Sequence, residues 1–232
     1  MDQQKTPPLR YLWTPLPEGG ARLLRVYGMQ PELELPEKIE DHLLTEIGAY
    51  CFAAAEHLPE DGVRVTVVGD IEGSEKYLYS LSGDKPEKII LPDTVKVIRD
   101  LAFYNCRKLR CIQTGAGISE IGSDVFMNCG SLTVLELRCG IGEPSGAGVI
   151  LSRIASELEV RFLGQQDNRR KMEPEAVLLY PEYQETYDEI APAHIFGRNI
   201  TGEGFRARQL FRQGRVQPEQ YDEIFAKVSV EE

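Results

Sequence analysis

The sequence predicts an α/β-type repeat solenoid with a parallel sheet, followed by a mainly helical C-terminal region. Three observations carry this. Ile98, Phe103, Cys106, Leu109 and Ile112 recur as Ile121, Phe126, Cys129, Leu132 and Leu135, and every pair is offset by 23 residues. A fixed period in this range marks a solenoid, in which each unit leaves an apolar face that only its neighbour can bury. Positions 109, 112 and 114, and again 132, 135 and 137, carry the apolar spacing of a short strand after a turn. Beyond about residue 165 the repeat ends, and charge-segregated, aromatic-rich sequence takes over.

In chain order, residues 1–30 read as an N-terminal capping hairpin. Tyr11-Leu12-Trp13 leads into a Pro17-Glu18-Gly19-Gly20 turn and then the apolar segment 21–27, a turn signal between two strand-like runs. Residues 31–164 read as the solenoid. Pro92 follows Ile89-Ile90-Leu91 and stops that strand, because proline has no N–H to give a ladder. Ala102-Phe103 and Val125-Phe126 sit in brief helical turns that can bury a ring between coils. Leu158, Val160 and Phe162 alternate as a last strand.

An earlier, degenerate unit fits Leu35-Pro36, Ile47-Gly48, Phe52 and Leu58, with Ala55 where the others have cysteine. Ile47 precedes Ile98 by 51 residues, so the stretch between, including Glu75–Leu81, is expected to form an irregular coil or an inserted hairpin.

These residues resemble the BspA-type leucine-rich repeat. Ile90-Leu91-Pro92, Val95, Ile98, Ala102-Phe103, Cys106, Leu109 and Ile112 match its pattern. So do Ile118, Ile121-Gly122, Val125-Phe126, Cys129, Leu132 and Leu135. The resemblance covers 90–137 and, more loosely, 33–67. It implies short stacked coils, a continuous parallel sheet and a surface suited to protein recognition.

Residues 165–232 form the third segment, expected to be helical. Six acids and no base lie between Glu173 and Glu189, whereas Arg198, Arg206, Arg208, Arg212 and Arg215 face one acid, Glu203. Acidic and basic helices packing on a small core of Tyr180, Tyr183, Tyr187, Phe196, Phe205, Phe211, Tyr221 and Phe225 would account for this pattern. On one continuous helix, Arg208, Arg212 and Arg215 fall at i, i+4 and i+7, a spacing able to hold an acidic partner. Pro218 suits the first position of a final helix in which Tyr221, Ile224, Phe225 and Val228 share a face.

Composition narrows function. The net charge of −11 argues against nucleic-acid binding, whose affinity rests on phosphate contacts. The N-terminus is polar, and no window approaches the run of about 18 apolar residues that spans a bilayer. Five cysteines, an odd number with no C-x2-C pair, fit a reducing compartment and give no zinc pattern. The expectation is a cytoplasmic chain without membrane, metal or cofactor. Cys106 and Cys129 occupy a repeat position and act as small buried hydrophobes. The glycines at 140, 142, 146 and 148 make no phosphate-binding string. His42, His57 and His194 are isolated, and no nucleophile signature is present.

The reading is therefore a non-catalytic protein–protein interaction module. The alternative is an enzyme or small-molecule binder whose site is assembled by the C-terminal region. In an alternating strand the residues between buried positions face outward. That rule places Arg64 and Thr66, Cys111 and Gln113, Val134 and Glu136, and Glu159 and Arg161 as successive rungs of one partner-binding face. Arg208, Arg212 and Arg215 would add a contact to an acidic segment.

Overall fold

A computed structural model describes residues 7–55, 57–59, 61–69, 78–164, 173–181 and 203–226. The expected hairpin is formed by β1 (Leu9–Pro15) and β2 (Ala21–Gly28), paired antiparallel. Gly19 and Gly20 have φ of +93° and +92°, the left-handed conformation that glycine adopts without steric cost. Alternation buries Tyr11 and Trp13 of β1 and Ala21 and Leu23 of β2.

The coils follow. Each sends one strand to a six-stranded sheet and, with one exception, another to an eight-stranded sheet. The first coil carries β3 (Glu32–Glu34), β4 (Lys38–Ile39) and β5 (His42–Ile47). The second has β8 (Lys88–Ile90) and β9 (Val97–Ile98), and the third β10 (Cys111–Gly115) and β11 (Glu120–Ile121). In the fourth, β12 (Val134–Arg138) is followed by a short helix, α1 (Ala147–Leu151), in place of a second strand. Next come β13 (Leu158–Phe162) and β14 (Ala176–Tyr180). The six-stranded sheet runs β14-β13-β12-β10-β8-β3, parallel except for β14. In the other sheet the third, second and first coils are continued by the hairpin, in the order β11-β9-β5-β2-β1.

All eight repeat positions expected to be apolar core (98, 103, 109, 112, 121, 126, 132 and 135) are buried. The phenylalanines form a stack. Phe52 and Phe103 have ring centroids 5.2 Å apart at 2°, and Phe103 and Phe126 are 5.5 Å apart at 12°. Phe52 thus belongs to the same register as the two clear repeats, although 51 residues separate it from Phe103. The repeat cysteines bond one coil to the one before it. Cys106 Sγ donates to Phe52 O at 3.1 Å, and Cys129 Sγ to Phe103 O at 3.0 Å. Each thiol satisfies a carbonyl of the preceding coil while filling apolar space.

The segment between the first and second coils leaves the stack and returns to the hairpin. It contains β6 (Arg64–Val68), which pairs antiparallel with β1, and β7 (Tyr79–Ser80), which pairs with β2. Residues 70–77 lie outside the described set, including part of the expected Glu75–Leu81 insertion.

The C-terminal region departs from the helical expectation at its start. Ala176–Tyr180 lies within the acidic stretch expected to be helical, yet adds to β13 as a strand. A run of Ala-Val-Leu-Leu-Tyr favours a sheet edge once a partner strand is available. Two helices do follow: α2 (Glu203–Arg212) and α3 (Pro218–Ala226), the latter beginning at the expected proline. Tyr180, Phe211 and Tyr221 form the predicted aromatic core, with edge-to-face contacts at 5.3 and 6.3 Å. Tyr183, Tyr187 and Phe196 lie outside the described residues, as do the side chains of Phe205 and Phe225.

Candidate functional site

The outer face of the six-stranded sheet carries two straight rows of side chains. One runs Glu32, Lys88, Cys111, Val134, Glu159 and Leu179; the other runs Glu34, Ile90, Gln113, Glu136, Arg161 and Val177. Six of the expected rung residues, 111, 113, 134, 136, 159 and 161, therefore fall in register. Arg64 and Thr66 do not. Their strand β6 is the edge of the other sheet, where Thr66 accepts a hydrogen bond from Trp13 Nε1 at 2.8 Å and donates to Glu40. Alternation gives the face of a strand but not the sheet that strand joins. The places assigned to Arg64 and Thr66 belong to Lys88 and Ile90, and Glu32 and Glu34 lie beyond them.

The polar part of this face is internally matched. Glu136 receives Lys88 Nζ at 2.8 Å and lies 3.6 Å from Arg161, which also holds Glu159 at 2.7 Å. With its amide oriented to suit its neighbours, Gln113 bridges Glu136 and Arg138. Arg138 in turn holds Asp93 at 2.7 Å and the Leu91 carbonyl. Burial alone would lower the Lys88 ammonium, but the Glu136 carboxylate outweighs it and holds its pKa above the usual lysine value. Burial, helped by Glu136, pushes the Cys111 thiol up to about 12, which removes it as a nucleophile at neutral pH. At one end of the rows, Val177 and Leu179 are exposed apolar side chains.

The three tail arginines separate. Arg208 is buried. Its guanidinium donates to the carbonyls of Ile154, Ala155 and Pro181 and lies 4.1 Å from the Tyr180 ring. It ties α2 to the last coil and is unavailable as a surface contact. The helix ends at Arg212, and Gly214, with φ of +74°, turns the chain; Arg215 therefore sits off the helix and the expected i, i+4, i+7 row is broken. The signal for helix termination was the Gly214 that follows Arg212 and Gln213.

A match to known families fits this geometry. Residues 74–143 match the family model described as BspA type Leucine rich repeat region (6 copies). Residues 74–143 are therefore BspA-type leucine-rich repeats in pattern as well as in fold. No curated protein and no solved structure matches it.

The third repeat ends in a groove of about 890 Å³. Its floor is the turn holding Phe126, Cys129 and Leu132, and its far wall is the 152–156 segment with α2. Among the described residues lining it there is one carboxylate, Asp124, and no histidine. No group of three or more metal-ligating side chains occurs among the described residues. Among the same residues no helix is long and apolar enough to cross a membrane.

Proposed function

We propose that this chain is a non-catalytic protein-recognition module of the cytoplasm, binding its partner with the outer face of the six-stranded sheet. One observation carries the reading: two in-register rows cross six strands, polar and ion-paired in the middle and apolar at Val177 and Leu179. Side chains set by a rigid sheet meet a partner with little ordering cost, and solenoids commonly use such extended surfaces. The mixed charges and the overall −11 favour a protein over a polyanion. Within this reading Gln113, Val134, Glu136, Glu159 and Arg161 are contact residues, joined by Lys88, Val177 and Leu179. No cofactor or metal takes part.

The experiment compares partner capture from host lysate by the native chain and by Val177→Asp/Leu179→Asp, both checked for an unchanged circular dichroism spectrum. Loss of a specific protein from the double variant supports the reading. Retention of every captured protein by the folded double variant and by Gln113→Arg would sink it.

A further inference from the structure

Along the solenoid, each helical turn donates its backbone N–H groups to the next coil. Leu101 N donates to Ser123 O at 3.0 Å, Phe103 N to Val125 O at 3.1 Å, and Asn105 N to Met127 O at 3.0 Å. One coil further on, the equivalent donors are the N–H groups of Asp124, Phe126 and Asn128. Among the described residues no acceptor meets these three, and all three residues line the groove. The cause lies in the fourth coil. Its helix α1 packs against β11, with Gly146 N donating to Ala116 O at 2.8 Å, and gives this turn none of the backbone acceptors that a repeat coil would. Exposure rises accordingly, from 0% at Phe103 to 8% at Phe126, and from 0% at Cys106 to 7% at Cys129.

We infer that this open end of the phenylalanine stack is a docking groove for an extended segment of a partner protein bearing a large apolar ring and carboxylates. Three features specify that chemistry, none of them involving the sheet face. Donors on alternate residues match the carbonyls that a strand presents on one edge at every second residue, as in strand addition. Phe126, the last ring of a stack spaced at 5.2 and 5.5 Å, lines the groove with its small exposed part and gives an incoming apolar ring an edge to pack against. Arg153 and Arg212, both exposed, line the groove and suit carboxylates on the incoming chain. A second copy of this chain is disfavoured, because its matching carbonyls are taken: Ser123, Val125 and Met127 by the second coil, and Phe52 by Gly83 N.

The test uses a fluorescein-labelled peptide with the sequence of residues 119–128, which has the ring, two carboxylates and, when extended, a carbonyl on one edge at every second residue. Fluorescence anisotropy with the full chain should show saturable binding. Replacing the peptide's phenylalanine by alanine should weaken binding at least about tenfold, the combined value of ring burial and aromatic contact. Gly130→Trp should abolish it, since Gly130 lines the groove and a Cβ there meets nothing within 4 Å. Thermal unfolding checks that this variant is folded. Should it not fold, Arg153→Glu/Arg212→Glu decides, with an expected loss of about tenfold. Absence of saturable binding, or equal binding of the alanine peptide, overturns the proposal. Undiminished binding by a folded Gly130→Trp chain does the same. A dimer that Gly130→Trp converts to monomer in sedimentation would make the occupant a second copy and also overturn it.

Discussion

Phe103→Ala is the sharpest test of the stacked core. The ring is fully buried and has a parallel neighbour on each face, whereas Phe126 has one stacked neighbour and borders the groove. Truncating a buried phenylalanine costs about 3–5 kcal/mol, and each aromatic pair adds about 0.5–1.5 kcal/mol beyond burial. Phe103→Ala loses two pairs and sits near the top of that range, while Phe126→Ala should cost about 1 kcal/mol less. With an m-value of roughly 2.5 kcal/mol/M for a chain of this size, a loss of 4 kcal/mol lowers the urea midpoint by about 1.6 M. Trp13 is the chain's one tryptophan and is fully buried, so its fluorescence reports the hairpin end while circular dichroism reports the whole chain. Coincident transitions license the comparison. The reasoning fails if Phe126→Ala costs as much as Phe103→Ala, or if both cost less than about 1.5 kcal/mol.

Three further expectations follow from neighbouring features. Asn105 and Asn128 sit at φ of +61° and +62° and share a side-chain hydrogen bond of 2.8 Å; Asn105→Ala should be about 1 kcal/mol less stable than Asn105→Gly, and equal urea midpoints would refute the backbone argument. Burial alone would raise the Glu46 carboxyl, but hydrogen bonds from Arg99 and Arg22 outweigh it and hold it below its usual value of 4.5. Its stabilisation is therefore present above about pH 4.5 and is lost as pH falls through the lower folded value; the stability gap between the native chain and Glu46→Gln should narrow on acidification, and a gap constant from pH 7 to 3 would contradict this. Burial raises the thiol pKa of Cys51, and likewise pushes Cys111 to about 12 and Cys139 to about 11. At pH 8 a thiol reagent should react slowly with the native chain, half-buried Cys111 first, and reach five equivalents in denaturant; two or more fast native thiols would refute it.

The parts of this fold legible in the sequence are those fixed by local register. Phe103, Phe126 and their apolar companions can be placed because each coil repeats one side-chain pattern, and even the degenerate Phe52 keeps its spacing to Ile47 and Leu58. Sheet membership is different. Arg64 and Thr66 alternate like the rungs of the other coils, but their strand pairs with β1 after a long chain excursion, and no residue near 64 encodes that. The strand at 176–180 is hidden for the same reason: its pairing with β13 outweighs the acidic flanks that suggest a helix. Arg208 looks like a surface charge in the sequence because a pattern of charges contains no carbonyls. Three backbone acceptors and the Tyr180 face make burial tolerable for that guanidinium. The groove has one trace in the sequence, the loss of the phenylalanine position after Phe126, where the period would place Val149.

The excursion between the first and second coils also sets an order of assembly. Val97 pairs with Glu120 across 23 residues, but Ile47 reaches Ile98 only after 51. Closing the longer loop costs about 0.7 kcal/mol more chain entropy, and non-local pairing must wait until that cost is met. The second and third coils can nucleate on each other as soon as both exist. The hairpin made first can close on itself, but β1 finds its outer neighbour only once residue 64 and beyond have been synthesised. Leu23 meets Ile47 across 24 residues, so the hairpin and the first coil can also form on each other early; growth therefore has two local centres, and the 51-residue closure that joins them comes later.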